Sequence, residues 1–240
     1  MALSETRQNE IRQGYRRVLE TIERASRLRK DAHPVTLVAA SKTRSAEEIN
    51  FAASLGLKVI GENRVQELCD KYDQLSKELE IHFIGALQTN KVKYIIDKVS
   101  LIHSVDRLSL AQEIDRQAKK HGKVMDILCE VNLGEAQKSG VSPEELPNLL
   151  SDIRKMQNIR LRGLMAVPPI SHSYDEQFAI SQKFIKIFID NCTQNIDNRC
   201  SMQIISLGMS EDYPAAIAAG SNMVRVGSAI FGARDYTLSH

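Results

Sequence analysis

The chain of 240 residues lacks the marks of several large protein classes. No apolar run reaches the roughly 20 residues that span a bilayer. The N-terminus has no signal-peptide core, and its many acidic residues argue against a transit peptide. The expectation is a cytoplasmic protein without membrane association. Four cysteines, Cys69, Cys129, Cys192 and Cys200, form no CxxC pair and no metal-ligand spacing, and the six histidines form no HxxxH pair. Reduced thiols and no metal site are expected. Charge is nearly balanced, with 32 basic and 30 acidic residues and a net charge of +2, so nothing favours nucleic acid or an anionic surface in bulk. No Gly/Ser linker or composition shift divides the chain, and a single domain over 1–240 is expected.

What is present is a regular alternation. Residues 1–30 are locally basic, yet Ile11, Tyr15, Val18, Leu19 and Ile22 recur at helical spacing. The pattern reads as an amphipathic helix with its arginines in solvent. From Val35 onward, eight β-rich runs appear, at 35–40, 57–61, 81–85, 99–105, 124–132, 159–167, 203–208 and 223–231. Helical patterns fill the intervals. Ser45 with Glu48 makes a capping box, and Ser142 followed by Pro143, Glu144 and Glu145 suggests a second helix start. Eight strands with seven intervening helices suggest an α/β (β/α)8 barrel with an extra N-terminal helix; a doubly wound sheet is the alternative.

In a barrel, residues just beyond the strand C-termini share one rim. Those positions hold Lys42, then Gly61-Glu62-Asn63, then Gly85 and Gln88, then His103 and Asp106, Asn132, and Met165. The last two runs end in "SLGMS" (206–210) and "RVGS" (225–228). Gly208 and Gly227 permit close backbone approach to an oxyanion, with Ser206, Ser210 and Ser228 as hydroxyl donors and a helix expected near Glu211. Ser210 serves equally as a helix N-cap. Arg225, between two valines, points away from them into the barrel mouth, toward either an acidic rim residue or a ligand acceptor. Lys42 follows an apolar strand, where lost solvation lowers an amine's pKa and suits it to hold an aldehyde; a snorkelling lysine is the plainer reading. An amine, a phosphate cradle and an arginine for a ring nitrogen are together what pyridoxal 5′-phosphate (PLP) requires.

The stretches "ASKTRSAEEI", "GENRVQE", "HFIGALQTNKVK", "IHSVDR", "RLRGLMAVPP" and "LGMSEDYPAAIAAGSNMVRVGSAIFGARDY" resemble the pyridoxal phosphate homeostasis protein family from about Val35 to Tyr236. The resemblance implies a fold-type III PLP barrel, like the barrel domain of alanine racemase standing alone. It implies that Lys42 forms a Schiff base with PLP, that Asn63 lies near the cofactor, and that Arg225 approaches the pyridine nitrogen. Ser206, Gly208, Met209, Ser210, Gly227 and Ser228 would surround the phosphate. The implied role is a non-catalytic PLP carrier in vitamin B6 homeostasis that affects amino acid metabolism and supplies PLP-dependent apo-enzymes. An amino acid racemase or related PLP enzyme is the alternative. Racemization needs a second base, which racemases take from a tyrosine of a C-terminal domain. None of Tyr15, Tyr72, Tyr94, Tyr174, Tyr213 and Tyr236 has a clear claim to the rim, and the sequence closes at His240. A monomer is expected, since the racemase dimer uses that second domain.

Overall fold

The computed structural model describes residues 3–29, 31, 33–134, 139–192 and 200–233. Eight strands form the sheet: β1 (Thr36–Ala40), β2 (Val59–Glu62), β3 (Glu80–Phe83), β4 (Leu101–Val105), β5 (Met125–Glu130), β6 (Ile159–Met165), β7 (Cys200–Ser206) and β8 (Met223–Val226). They close into a barrel in chain order, and β8 returns to pair with β1 in parallel, so no edge is left open. The helices are α1 (Glu5–Ser26), α2 (Ala46–Ser54), α3 (Val65–Lys71), α4 (Leu108–Lys120), α5 (Leu146–Arg154), α6 (Tyr174–Cys192), α7 (Tyr213–Ala219) and α8 (Ser228–Phe231). No helix among the described residues is long and apolar enough to cross a membrane.

Strand alternation divides the apolar residues into two layers. Val38, Val59, Leu101, Leu128, Met165 and Met223 pack together inside the barrel. Ala39, Ile60, Ile102, Ile127, Val224 and Val226 belong to the larger cluster between sheet and helices. Arg225 takes the inward position between Val224 and Val226, as the alternation requires.

The α1 helix buries Ile11, Tyr15, Val18, Ile22 and Ala25. Gly14 makes this docking possible, because a Cβ there would lie 2.3 Å from the Ile230 carbonyl oxygen of α8. Arg7 bonds both Glu48 of α2 and the Phe231 carbonyl oxygen, tying α1 to two elements. Arg16 and Arg27 stay in solvent and pair along the helix with Glu20 and Glu23. The capping box of α2 forms as expected, with Glu48 and Ser45 exchanging side-chain and backbone bonds.

Three expectations need correction. The β3–β4 connection holds a 3-10 turn over Thr89–Tyr94 in place of an α-helix. Val92, Ile95, Ile96 and Val99 still reach the core, and Lys123 Nζ takes the Ile96 and Val99 carbonyls at 2.9 and 3.3 Å. The eighth run is a strand only to Val226, since the chain turns at Gly227 into α8. Ser210 Oγ holds that turn by accepting the N–H of Gly227 at 3.1 Å and of Ala229 at 3.5 Å. Pro147, not Pro143, sits in the first turn of α5, and Ser142 Oγ closes a separate turn by accepting the Glu145 N–H at 3.3 Å.

Candidate functional site

A cavity of about 590 Å³ opens at the C-terminal mouth of the barrel. Its wall includes Lys42, Asn63, Met209, Ser210, Arg225, Gly227 and Ser228, with Val167–Ser171 of the β6–α6 loop on one side. The structure thus brings together seven of the nine positions expected from the sequence. Ser206 and Gly208 stand behind the wall. Gln88, His103, Asp106, Asn132 and Met165 are also absent from it, so chemistry gathers on the β1–β2 and β6–β8 arc. Of the tyrosines, Tyr236 lies outside the described residues, and none of the other five lines the cavity.

Lys42 and Asn63 follow β1 and β2 directly and share the inward direction of Ala40 and Gly61. Gly85 packs against the backbone of Asn63, where a Cβ would fall 2.1 Å from the Asn63 carbonyl oxygen. The Asn63 side-chain oxygen is buried with no hydrogen-bond partner among the described residues. Ser210 is not the N-cap of α7, a position held by Asp212; its hydroxyl instead receives the Gly227 and Ala229 amides.

Arg225 is only 5% exposed. Among the described residues no carboxylate lies within ion-pair reach of it. Its Nη1 donates to the Ser206 carbonyl at 2.8 Å and to Ser206 Oγ at 2.6 Å, and its Nη2 donates to the Ala166 carbonyl at 2.8 Å. Burial pulls its pKa down to about 10, against the upward pull of Glu130 and Asp212. The guanidinium stays charged at neutral pH. Three of its five N–H donors are committed to the barrel, and the residue lines the cavity.

The support behind Arg225 continues through the barrel interior. Ser206 Oγ lies 3.1 Å from His103 Nδ1, His103 Nε2 lies 3.0 Å from His82 Nδ1, and His82 Nε2 lies 3.1 Å from Glu80 Oε1. Arg225 can only donate. Glu80, held down at about 2 chiefly by its bond from His82, only accepts. With one proton on each ring, a single arrangement satisfies every atom: Ser206 donates to His103, His103 Nε2–H to His82, and His82 Nε2–H to Glu80. Desolvation chiefly, with the charge of Arg225 adding to it, holds His103 well below its usual pKa, consistent with one proton there.

Sequence reasoning missed Glu130, which ends β5 on the inward side. Burial, reinforced by Asp106, raises its carboxyl to about 7, and Arg225 opposes the shift. The period-two pattern ending in "LCEVN" carried that signal, because Leu128 and Glu130 share a face. No group of three or more His, Cys, Asp or Glu able to hold a metal occurs among the described residues.

The eight-stranded α/β barrel has the architecture of the alanine racemase N-terminal domain. The family model of that description matches residues 19–235. Solved alanine racemase from Clostridium difficile superposes with a TM-score of 0.70 at 19% identity, over 92% of this chain and 57% of the racemase, and so shares the fold. The pyridoxal phosphate homeostasis protein of Aquifex aeolicus is 42% identical over 223 residues, 92% of this chain and 96% of that one. PipY of Synechococcus elongatus, solved with PLP bound, has a TM-score of 0.77 and 32% identity over 88% of this chain and all of its own. The chain belongs to the pyridoxal phosphate homeostasis protein family.

Two measurements follow from this geometry. Nitrogen-15 NMR of the imidazoles should show Nε2–H tautomers at both His82 and His103; an Nδ1–H tautomer at His103 would break the proposed direction of the chain. For Glu130, the folded protein keeps a proton that the unfolded chain releases above about pH 4.5. Stability should therefore fall between that pH and about 7, by about 3 kcal/mol in total. Urea unfolding of Glu130→Gln should show this component of the slope removed; an unchanged slope would contradict the assignment.

Proposed function

We propose that this chain binds PLP at the barrel mouth and acts as a carrier in the homeostasis of that cofactor. The observation that carries the reading is the convergence of Lys42, Asn63 and the inward Arg225 on one cavity. PLP, when bound, supplies an aldehyde beside a pyridine ring and a phosphate. Lys42 Nζ, on the cavity wall, is the amine that would hold the aldehyde. Arg225, a donor held from behind by Ser206, would hold the ring nitrogen and, able only to donate, would favour that nitrogen unprotonated, which would weaken the ring as an electron sink. Gly208 supports the same arginine, its carbonyl accepting the Arg225 N–H at 2.9 Å. Ser210 already accepts two amides, so its own hydroxyl hydrogen is what it offers a phosphate oxygen. Met209, Gly227 and Ser228 complete that side of the cavity.

The whole of 1–240 serves as one PLP-binding unit, with 1–30 packed on the barrel, working as a cytoplasmic monomer that hands cofactor to PLP-dependent apo-enzymes. Its relatives are named as homeostasis proteins. The racemase reading requires a second acid/base opposite Lys42, and none of the described tyrosines lines the cavity. The purified protein should take up PLP and show the near-visible absorption of a C=N adduct, which Lys42→Ala should lose. Steady racemization of an amino acid at ordinary enzyme rates would overturn the carrier reading.

A further inference from the structure

The backbone that carries Lys42 is held from outside the barrel by an ion pair the proposed chemistry does not use. Lys71, the last residue of α3, is 8% exposed, and Glu62, at the end of β2, is fully buried. Lys71 Nζ lies 2.7 Å from Glu62 Oε1. The same amine donates to the Ser41 carbonyl at 3.1 Å and to the Arg44 carbonyl at 3.3 Å. These two carbonyls bracket Lys42 and Thr43. Ser41 Oγ bonds Glu62 Oε1 as well, and the Ser41 N–H donates to the Gly61 carbonyl at 3.0 Å.

The turn so held is strained. Thr43 has φ +64°, in the left-handed region that a β-branched residue rarely enters. Such a conformation is disfavoured and persists only where its surroundings over-determine it. Here Glu67 Oε2 of α3 accepts the Thr43 N–H at 2.9 Å. A buried ion pair contributes little net stability, since desolvation offsets its attraction. Desolvation pushes the Glu62 carboxyl up even with Lys71 and Ser41 pulling it back. Stability alone is therefore a weak account of the arrangement.

We propose that Lys71, Glu62 and Glu67 are positioning residues that fix the 41–44 turn and so aim the Lys42 amine into the cavity. The inference rests on Lys42 being the PLP amine. It separates from that claim by comparing two ligands: PLP, and pyridoxine 5′-phosphate, which keeps ring and phosphate and lacks the aldehyde. A purely structural role would change the affinity for both alike.

The test uses the full chain with Lys71→Met and Glu62→Gln together, so that no unpaired charge is left buried. PLP affinity should fall on the order of tenfold as the amine loses its aim, while pyridoxine 5′-phosphate affinity stays within about twofold. Glu67→Ala, a change at the protein surface, should show the same selectivity at about threefold and covers failure of the double variant to fold. Equal losses for both ligands, or no loss for PLP, would overturn the proposal. Wild-type uptake of PLP with its near-visible band is the control that keeps failure of the binding reading distinct.

Discussion

Closure of the barrel gives every strand residue only two directions, and the placement of polar groups follows from that constraint. Inward positions hold a guanidinium, two imidazoles and a carboxyl above an apolar layer of Val38, Val59 and Leu128. Outward positions hold Glu62, which must find its partner on a helix and does so in Lys71. A cation as buried as Arg225 would be intolerable among hydrocarbons alone. Carbonyls of Ser206 and Ala166 and a run of oriented dipoles ending at Glu80 replace its lost water.

The same two directions divide the labour around Lys42. The amine reaches the mouth from the inner side, and the turn that presents it is gripped from the outer side by α3. A site built this way keeps its supports buried while Lys42 itself lines the cavity. Oriented supports of this kind are how a fold fixes an amine and a guanidinium at one cavity wall.

Much of this was legible in the sequence. Alternation around Val224 and Val226 pointed Arg225 inward, and the spacing of β-rich runs gave eight strands and hence a common rim. Lys42, Asn63, Ser210 and Ser228 read as rim residues and line one cavity. What alternation cannot supply is which rim positions meet. Ser206 read as a phosphate donor, yet it supports Arg225 from below, because its strand ends one layer lower than the loop of Met209 and Ser210. Glu62 read as a rim residue, but its pairing with Lys71 was silent, because it joins a helix end to a strand end with no local spacing to betray it. The absent β3–β4 α-helix was hidden for a similar reason, since Val92, Ile95 and Ile96 bury equally well from a 3-10 turn.

The central claim is covalent capture of PLP at one named amine. Borohydride reduction of the PLP-loaded protein, followed by peptide mass spectrometry, tests it most directly. The account expects the reduced pyridoxyl phosphate adduct on the peptide carrying Lys42, at close to one per chain. An adduct confined to other lysines, with the Lys42 peptide unmodified, would contradict it.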